Sequence, residues 1–287
     1  MNTVILTVAH KDFDDSFLPD GYRVIRVGRK PDTAGGERTW FSDADGENIA
    51  DENPYYCELT AQYWAWKNLA PETDILGLVH YRRFFMDYHK GSTCFAQDIL
   101  KRAAIERVLT GGDCDILIPY YSAKLRNSSI LYRHRPLEQQ DKQWQIVYGI
   151  MREYYPEYVP AFEKVIYGKR QCWFNMFIAR KETFCAYSEW LFGVLKRYDE
   201  VVRDTLHEER IPRVDGFLSE LLILVWVEAN IDKKRIRHYD VKNTEANELD
   251  YGPACKSRIK RFIYRTPSLL GLSKWAQTSL RALRNLR

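Results

Sequence analysis

No two cysteines of this chain stand in CxxC spacing, although there are six in 287 residues (Cys57, Cys94, Cys114, Cys172, Cys185 and Cys255). Their dispersal supports neither a zinc ribbon nor a compact disulfide framework, and reduced thiols in a cytosolic protein are the expectation. No apolar run approaches the ~18 residues of a membrane span. The opening MNTVILTVAHKDF lacks the charged-then-apolar layout and cleavage site of a secretory signal. There is no GxxxxGKS/T phosphate loop and no GxGxxG, and neither HExxH nor GxSxG occurs. The six histidines are mostly isolated, so a histidine-based metal site has no spacing support. No DxD triplet follows an apolar strand. Asp43-Ala44-Asp45 has the spacing, but the reading places it in a loop with no strand before it.

Acidic residues are missing from one stretch. Lys256 to Arg287 holds nine of the 43 Lys and Arg and none of the 39 Asp and Glu. The rest of the chain is therefore net negative, unlike a nucleic-acid binder with a distributed basic face. In the tail Ile259, Phe262, Ile263, Leu272, Trp275, Ala276, Leu280 and Leu283 recur at helical spacing among the cations. Such a basic amphipathic helix lies on an anionic membrane surface, or else docks on the acidic body of the chain. The division read from this is a domain over 1–250 and a tail over 251–287.

What is present is globular: 45% hydrophobic, 29% charged and 14% aromatic. The expected strands are Thr3–Val8, Tyr22–Val27, Ile75–Val79, Asp115–Pro119, Trp173–Ala179 and Arg235–Val241. The expected helices are Pro54 to about Asn68, Asp98–Leu109, Gln139–Tyr155, Lys181–Lys196 and Gly216–Val227, with a loop over Gly35–Asn53. Strands alternating with helices predict an α/β fold with a mostly parallel sheet.

LGLVHYRRFF, residues 76–85, is the most informative segment. An apolar strand ends abruptly in His80, Tyr81, Arg82 and Arg83, groups that are costly to bury without partners. Ligands of open α/β sheets sit beyond the carboxyl ends of the strands. The cluster is therefore either an anion site or an ion-pair network that staples loops. His10 and Lys11 end the first strand, and Tyr120 and Tyr121 end another. Gathered at one sheet edge they would form a cationic, aromatic-walled pocket suited to a nucleotide diphosphate, since guanidinium groups grip its oxygens in forked geometry. His10 taken alone is a strand-end cap. Glu58, inside an aromatic helix, is either paired, with an Arg of the cluster as partner, or functional. Asp215 opens the hydrophobic helix of RVDGFLSE and is either its cap or catalytic. Glu220, beside Phe217, Leu221 and Leu224, is a candidate base with a raised pKa.

The segments GENIADENPYYCELTAQYWAWKN, LGLVHYRRFF, FNMFIARKETFCAYSEWLFGVL and GFLSELL, with His10-Lys11, resemble a bacterial family of capsular-polysaccharide and exopolysaccharide biosynthesis proteins. That family was long a domain of unknown function and is now regarded as glycosyltransferases. The resemblance covers about Val4 to Val241. It implies a GT-A-like, Rossmann-like fold and a nucleotide-sugar donor, UDP-linked, carrying galactofuranose or another hexose. It further implies a capsular, exopolysaccharide or O-antigen acceptor on a lipid carrier, and residence at the inner face of the cell membrane. The family pattern falls on Asn48, Asn53, Glu58, His80, Tyr81, Arg82, Arg83, Asn175 and Glu220.

The resulting expectation is a peripheral glycosyltransferase. His10, Lys11, Asn48, His80, Tyr81, Arg82 and Arg83 contact the donor. Asn53, Glu58 and Asn175 support the site or the acceptor, and Asp215 or Glu220 is the base. Arg82 and Arg83 replace, or assist, the Mn²⁺ or Mg²⁺ that a strand-end DxD would hold. The rivals are a non-catalytic scaffold of a polysaccharide assembly complex and a transferase of another nucleotide-linked group, such as phosphoglycerol.

Overall fold

Alternation of apolar residues on a β-branched backbone builds the first strand, and its two faces meet different partners. β1 (Thr3–Ala9) turns Leu6 and Val8 to one side and Ile5 to the other. The computed structural model describes residues 1–28, 40–88, 95–121, 137–245 and 248–251. One compact unit spans Met1–Gly252, and the basic tail expected over 251–287 lies outside the described residues but for its first. Among the described residues no helix is long and apolar enough to cross a membrane.

The strands that follow are β2 (Tyr22–Arg26), β3 (Phe41–Ser42), β4 (Ile75–His80), β5 (Arg83–Met86), β6 (Ile116–Pro119), β7 (Phe177–Arg180), β8 (Ile236–Asn243) and β9 (Glu248–Tyr251). The helices are α1 (Asn53–Tyr56), α2 (Leu59–Trp64), α3 (Arg102–Thr110), α4 (Leu137–Tyr154), α5 (Val159–Ile166), α6 (Lys181–Glu200) and α7 (Val214–Asn230).

The sheet runs β3-β2-β1-β4-β5-β8-β6-β7, with β9 beside β8. Pairing is parallel from β3 through β2 and β1 to β4, and between β6 and β8. It is antiparallel for β4–β5, β4–β7, β5–β8, β6–β7 and β8–β9. The expected mostly parallel sheet is thus corrected to a mixed one. Tyr81 and Arg82 alone separate β4 from β5, and a parallel crossover needs a dozen residues or more. The pairings of β4, β5, β8, β6 and β7 also close into a circuit, since β7 returns to β4.

Both faces are covered. One packs Leu6, Leu76 and Leu78 against Leu191, Leu195, Leu218 and Leu222 of α6 and α7. The other packs Ile5, Ile75, Val79 and Phe85 with Ile105 and Leu109 of α3. α7 is apolar nearly all round and correspondingly buried. Gly77 sits in mid-β4 because a Cβ there would lie 2.6 Å from Ile178 and 3.0 Å from Ile5.

Three local expectations change. The helix over Pro54–Asn68 is broken at Cys57, whose φ is 51°, and ends in a π turn over Ala65–Leu69. The strand expected from Trp173 begins only at Phe177, because Phe174 and Asn175 are left-handed (φ 79° and 51°). Asp43 does follow a strand, the two-residue β3, which reading by periodicity cannot detect.

Candidate active site

The carboxyl ends of β1, β2 and β4 open onto a cavity of about 560 Å³. Val8 and His10 enter it from β1, Val27 from β2, and His80, Tyr81, Arg82 and Arg83 from β4 and the turn into β5. Asn53, Pro54, Cys57 and Glu58 close a second side, and Phe174, Arg213, Phe217 and Glu220 a third. This is the crevice where the ligands of α/β sheets lie.

The third side is organised around the backbone of one residue, Phe174, whose N–H and carbonyl both have side-chain partners. The Phe174 N–H donates to Glu220 Oε1 at 2.9 Å. The Phe174 carbonyl accepts from His80 Nε2 at 2.6 Å, which fixes His80 as the Nε2–H tautomer. Burial lowers the His80 pKa against the pull of Glu58, whose Oε1 is 3.9 Å away. The Arg83 guanidinium lies 4.0 Å above the Phe174 ring. The next residue, Asn175, is buried and donates to Glu58 Oε1 and the Gly216 carbonyl, each at 2.9 Å, while Ser219 Oγ donates to its Oδ1 at 2.8 Å. Asn175 therefore ties the α1–α2 break to the first turns of α7. Five non-glycine residues have positive φ among the described residues; Cys57, Phe174 and Arg213 line this one cavity, and Asn175 bonds to Glu58 of its lining. Backbone strain of this kind concentrates at functional sites, where the surrounding structure must hold it in place.

Burial raises Glu220 to about 8, with Glu58 adding to the rise and the Phe174 N–H, Arg213 and Arg83 opposing it. Among the described residues Arg82, Arg83 and Arg213 thus share the cavity with two carboxyl groups, Glu58 and Glu220, an excess of basic side chains that favours an anion. Arg213, left-handed at the start of α7, passes its N–H to the Pro54 carbonyl and its guanidinium over Phe217 at 5.0 Å.

At the rim Tyr81 packs edge-on to His10 at 5.3 Å and against Phe13 at 5.7 Å. Lys11 and Arg82 both reach Glu245, at 2.9 and 3.2 Å. Lys11 does not line the cavity; it is held to the rim by that pair and by the Tyr81 ring, 5.2 Å away.

Several expectations are corrected. Asn48 is not at the cavity: its side chain closes its own loop, donating to the Ala44 and Gly46 carbonyls and accepting from the Ala50 N–H. Asp215 is fully buried elsewhere, on Arg210 at 2.9 Å. Arg210 also pairs with Glu52 and, at 2.9 Å, with Asp199. Burial and the Asp199 charge push Asp215 up to about 8 despite Arg210. None of these four residues lines the cavity. Among the described residues Glu58 accepts from Asn175 and lies 3.9 Å from His80, rather than pairing with an arginine. Asn53 lines the cavity, yet its amide donates to the Cys57 carbonyl and Thr60. Gly28 (φ 86°) lies so close that a Cβ there would be 2.7 Å from Asn53 Oδ1. Tyr121 faces a separate cavity and packs on His238 at 4.5 Å.

The described acidic groups around the cavity already have protein donors. Asp43 turns inward to the Gly28 N–H and Thr60. Glu58 and Glu220 each accept from a fixed donor. Among the described residues no group of three or more His, Cys, Asp or Glu could hold a metal ion. Sequence reading missed Arg213, Phe174, Phe217 and Cys57 as cavity residues. The first stands in RVDGFLSE just ahead of the helix, where a residue between Pro212 and the acidic first turn was the available signal.

A family described as a domain of unknown function, DUF4422, matches residues 4–231. No curated protein matches the chain. Among solved structures, the apo form of the bifunctional glycosyltransferase WbbM is similar, with a TM-score of 0.70 over 88% of this chain at 24% identity. The chain spans 46% of the length of that structure's chain, and what the two share is the fold.

Proposed function

The chain belongs to the DUF4422 family, and on that footing we propose that it is a glycosyltransferase of GT-A-like fold acting on a nucleotide-sugar. The observation that carries the reading is the convergence of Arg82, Arg83 and Arg213, from two distant segments, on one cavity at the strand ends. The fold shared with WbbM supports the reaction class.

The donor diphosphate lies against these arginines, with His10 and Tyr81 at the rim. The acceptor hydroxyl attacks the anomeric carbon, and the bond to the diphosphate breaks with its electron pair leaving on the nucleotide. Preorganised guanidinium charge stabilises that leaving group. In an inverting transfer Glu220 takes the hydroxyl proton; Asp215 has no part in it. The arginines supply the positive charge that a cation would otherwise bring. The donor is UDP-linked and the acceptor a lipid-carried surface glycan, reached from the inner face of the membrane through the basic tail.

Binding of UDP, GDP and CDP, followed by thermal shift, and donor hydrolysis across a nucleotide-sugar panel test this. Stabilisation by one nucleotide, lost in Arg82→Gln/Arg83→Gln, is the expected result. No shift with any nucleotide and no hydrolysis would leave a binding scaffold as the better reading. Abolition of turnover by EDTA and its rescue by Mn²⁺ would overturn the arginine role.

A further inference from the structure

A second cavity, of about 250 Å³, lies between α5 and the carboxyl end of α7. Four cations line it: Lys164 from α5, Lys169 and Arg170 from the segment that follows, and Lys233 from the turn after α7. One carboxylate, Glu228, stands among them. It pairs with Lys164, with Lys233 at 3.7 Å and with Arg170 at 4.0 Å. Asp232, next to Lys233, is turned to the Lys234 N–H at 2.8 Å. Among the described residues the lining therefore holds four basic side chains to one carboxylate, on a body whose own balance is negative. Part of this charge answers the negative ends of α5 and α7, but four cations around one carboxylate exceed that need and repel one another.

The floor is apolar, formed by Val165, Leu224, Val227, Ile231 and Ile236, which strengthens charge interactions above it. Tyr121 forms a wall, with the Arg170 guanidinium 5.5 Å from its ring. Its size lies just below the usual range of small-molecule sites, so it suits a headgroup rather than a whole nucleotide-sugar. Its place is equally specific. Leu224 follows Glu220 by one helical turn, a rise of about 6 Å, and the segment bearing Lys169 and Arg170 runs on to Phe174 of the first cavity.

We propose that this second cavity binds a phosphate group, as a monoester or diphosphate, independently of the first. Phosphate oxygens accept charge-assisted hydrogen bonds from several cations at once, and here they would occupy the positive field that Glu228 only partly offsets. The source of the group is a free or sugar-linked phosphate or a lipid headgroup.

The test is calorimetric titration of the full chain with inorganic pyrophosphate at fixed salt. Lys169→Gln/Arg170→Gln should weaken one class of site at least tenfold while UDP affinity stays within twofold. Glu228→Gln should tighten the same class about threefold or more, a gain that misfolding cannot produce. Sedimentation with vesicles of phosphatidic acid in phosphatidylcholine separates the sources. A severalfold fall in vesicle affinity in the double variant, over and above what the basic tail contributes, assigns a headgroup, and unchanged vesicle affinity assigns a free or sugar-linked phosphate. Pyrophosphate binding that is identical in wild type and the double variant would overturn the proposal.

Discussion

The backbone N–H of Phe174 donates to the carboxylate of Glu220 at 2.9 Å, from a residue whose own backbone is left-handed (φ 79°). The candidate base is thus held by strained main chain rather than by a side chain. Glu220→Gln keeps an oxygen for that N–H and removes the proton acceptor. The expected outcome is a 10²- to 10⁴-fold loss of transfer rate with nucleotide affinity within twofold. Near-normal turnover would remove Glu220 from the chemistry.

Activity should also follow the Glu220 proton. With its pKa raised to about 8 by burial, the basic form is the minor one at pH 7. The transfer rate at saturating substrate should rise with pH and level off above about 8, and Glu220→Gln should flatten the profile. A wild-type rate constant from pH 6 to 9 would contradict this.

Stability carries the opposite sign. Glu220 and Asp215 both titrate higher in the folded chain than the ordinary 4.5 and 3.8, so the folded state holds their protons longer. Their contribution is unchanged below about pH 4 and falls as pH rises toward 8, at up to about 1.4 kcal/mol per pH unit for each group. Melting temperature should fall between pH 5.5 and 8.5, and by less in Glu220→Gln than in wild type.

Asn175→Ala removes three hydrogen-bond links, to Glu58, Gly216 and Ser219, and places alanine at φ 51°. A loss of about 2–4 kcal/mol is expected, measurable by chemical denaturation. Asn175→Asp should recover part of the left-handed preference without the donor. Equal stability of all three proteins would show that the link from α7 to the α1–α2 break is dispensable.

Glu245 is the acidic partner shared by Lys11 and Arg82 at the rim. Neutralising it as Glu245→Gln frees both cations toward the cavity. Nucleoside diphosphate binding should tighten two- to fivefold and become more salt-sensitive. Weaker binding would mean that Glu245 orders the rim for the ligand rather than competing with it.

The strands of β1, β2, β4 and β6 were legible because each is an apolar run set off by turn residues, and the cavity was legible where those runs end in charge. What periodicity could not show came from long-range pairing. β5 has four residues and borrows its register from β8, whose paired residues lie 154 to 160 positions later. Phe174 and Asn175 read as strand because their neighbours are apolar, and only the hydrogen bonds to His80, Glu58 and Glu220 explain why the backbone leaves the β region there. Asp215 looked catalytic because a carboxylate at a helix start is ambiguous, and its partner Arg210 became relevant only through the fold.

The circuit β4-β5-β8-β6-β7 has a consequence for how the chain is made. β8 (Ile236–Asn243) is the last strand to complete it, so on the ribosome β5 and β6 wait with open edges until nearly the whole domain has emerged. A chain cut at residue 231, where the family match ends, would lack that closing strand for good. It would expose backbone donors and acceptors on both neighbours, the condition that invites strand addition between copies, so expression should extend past Asn243.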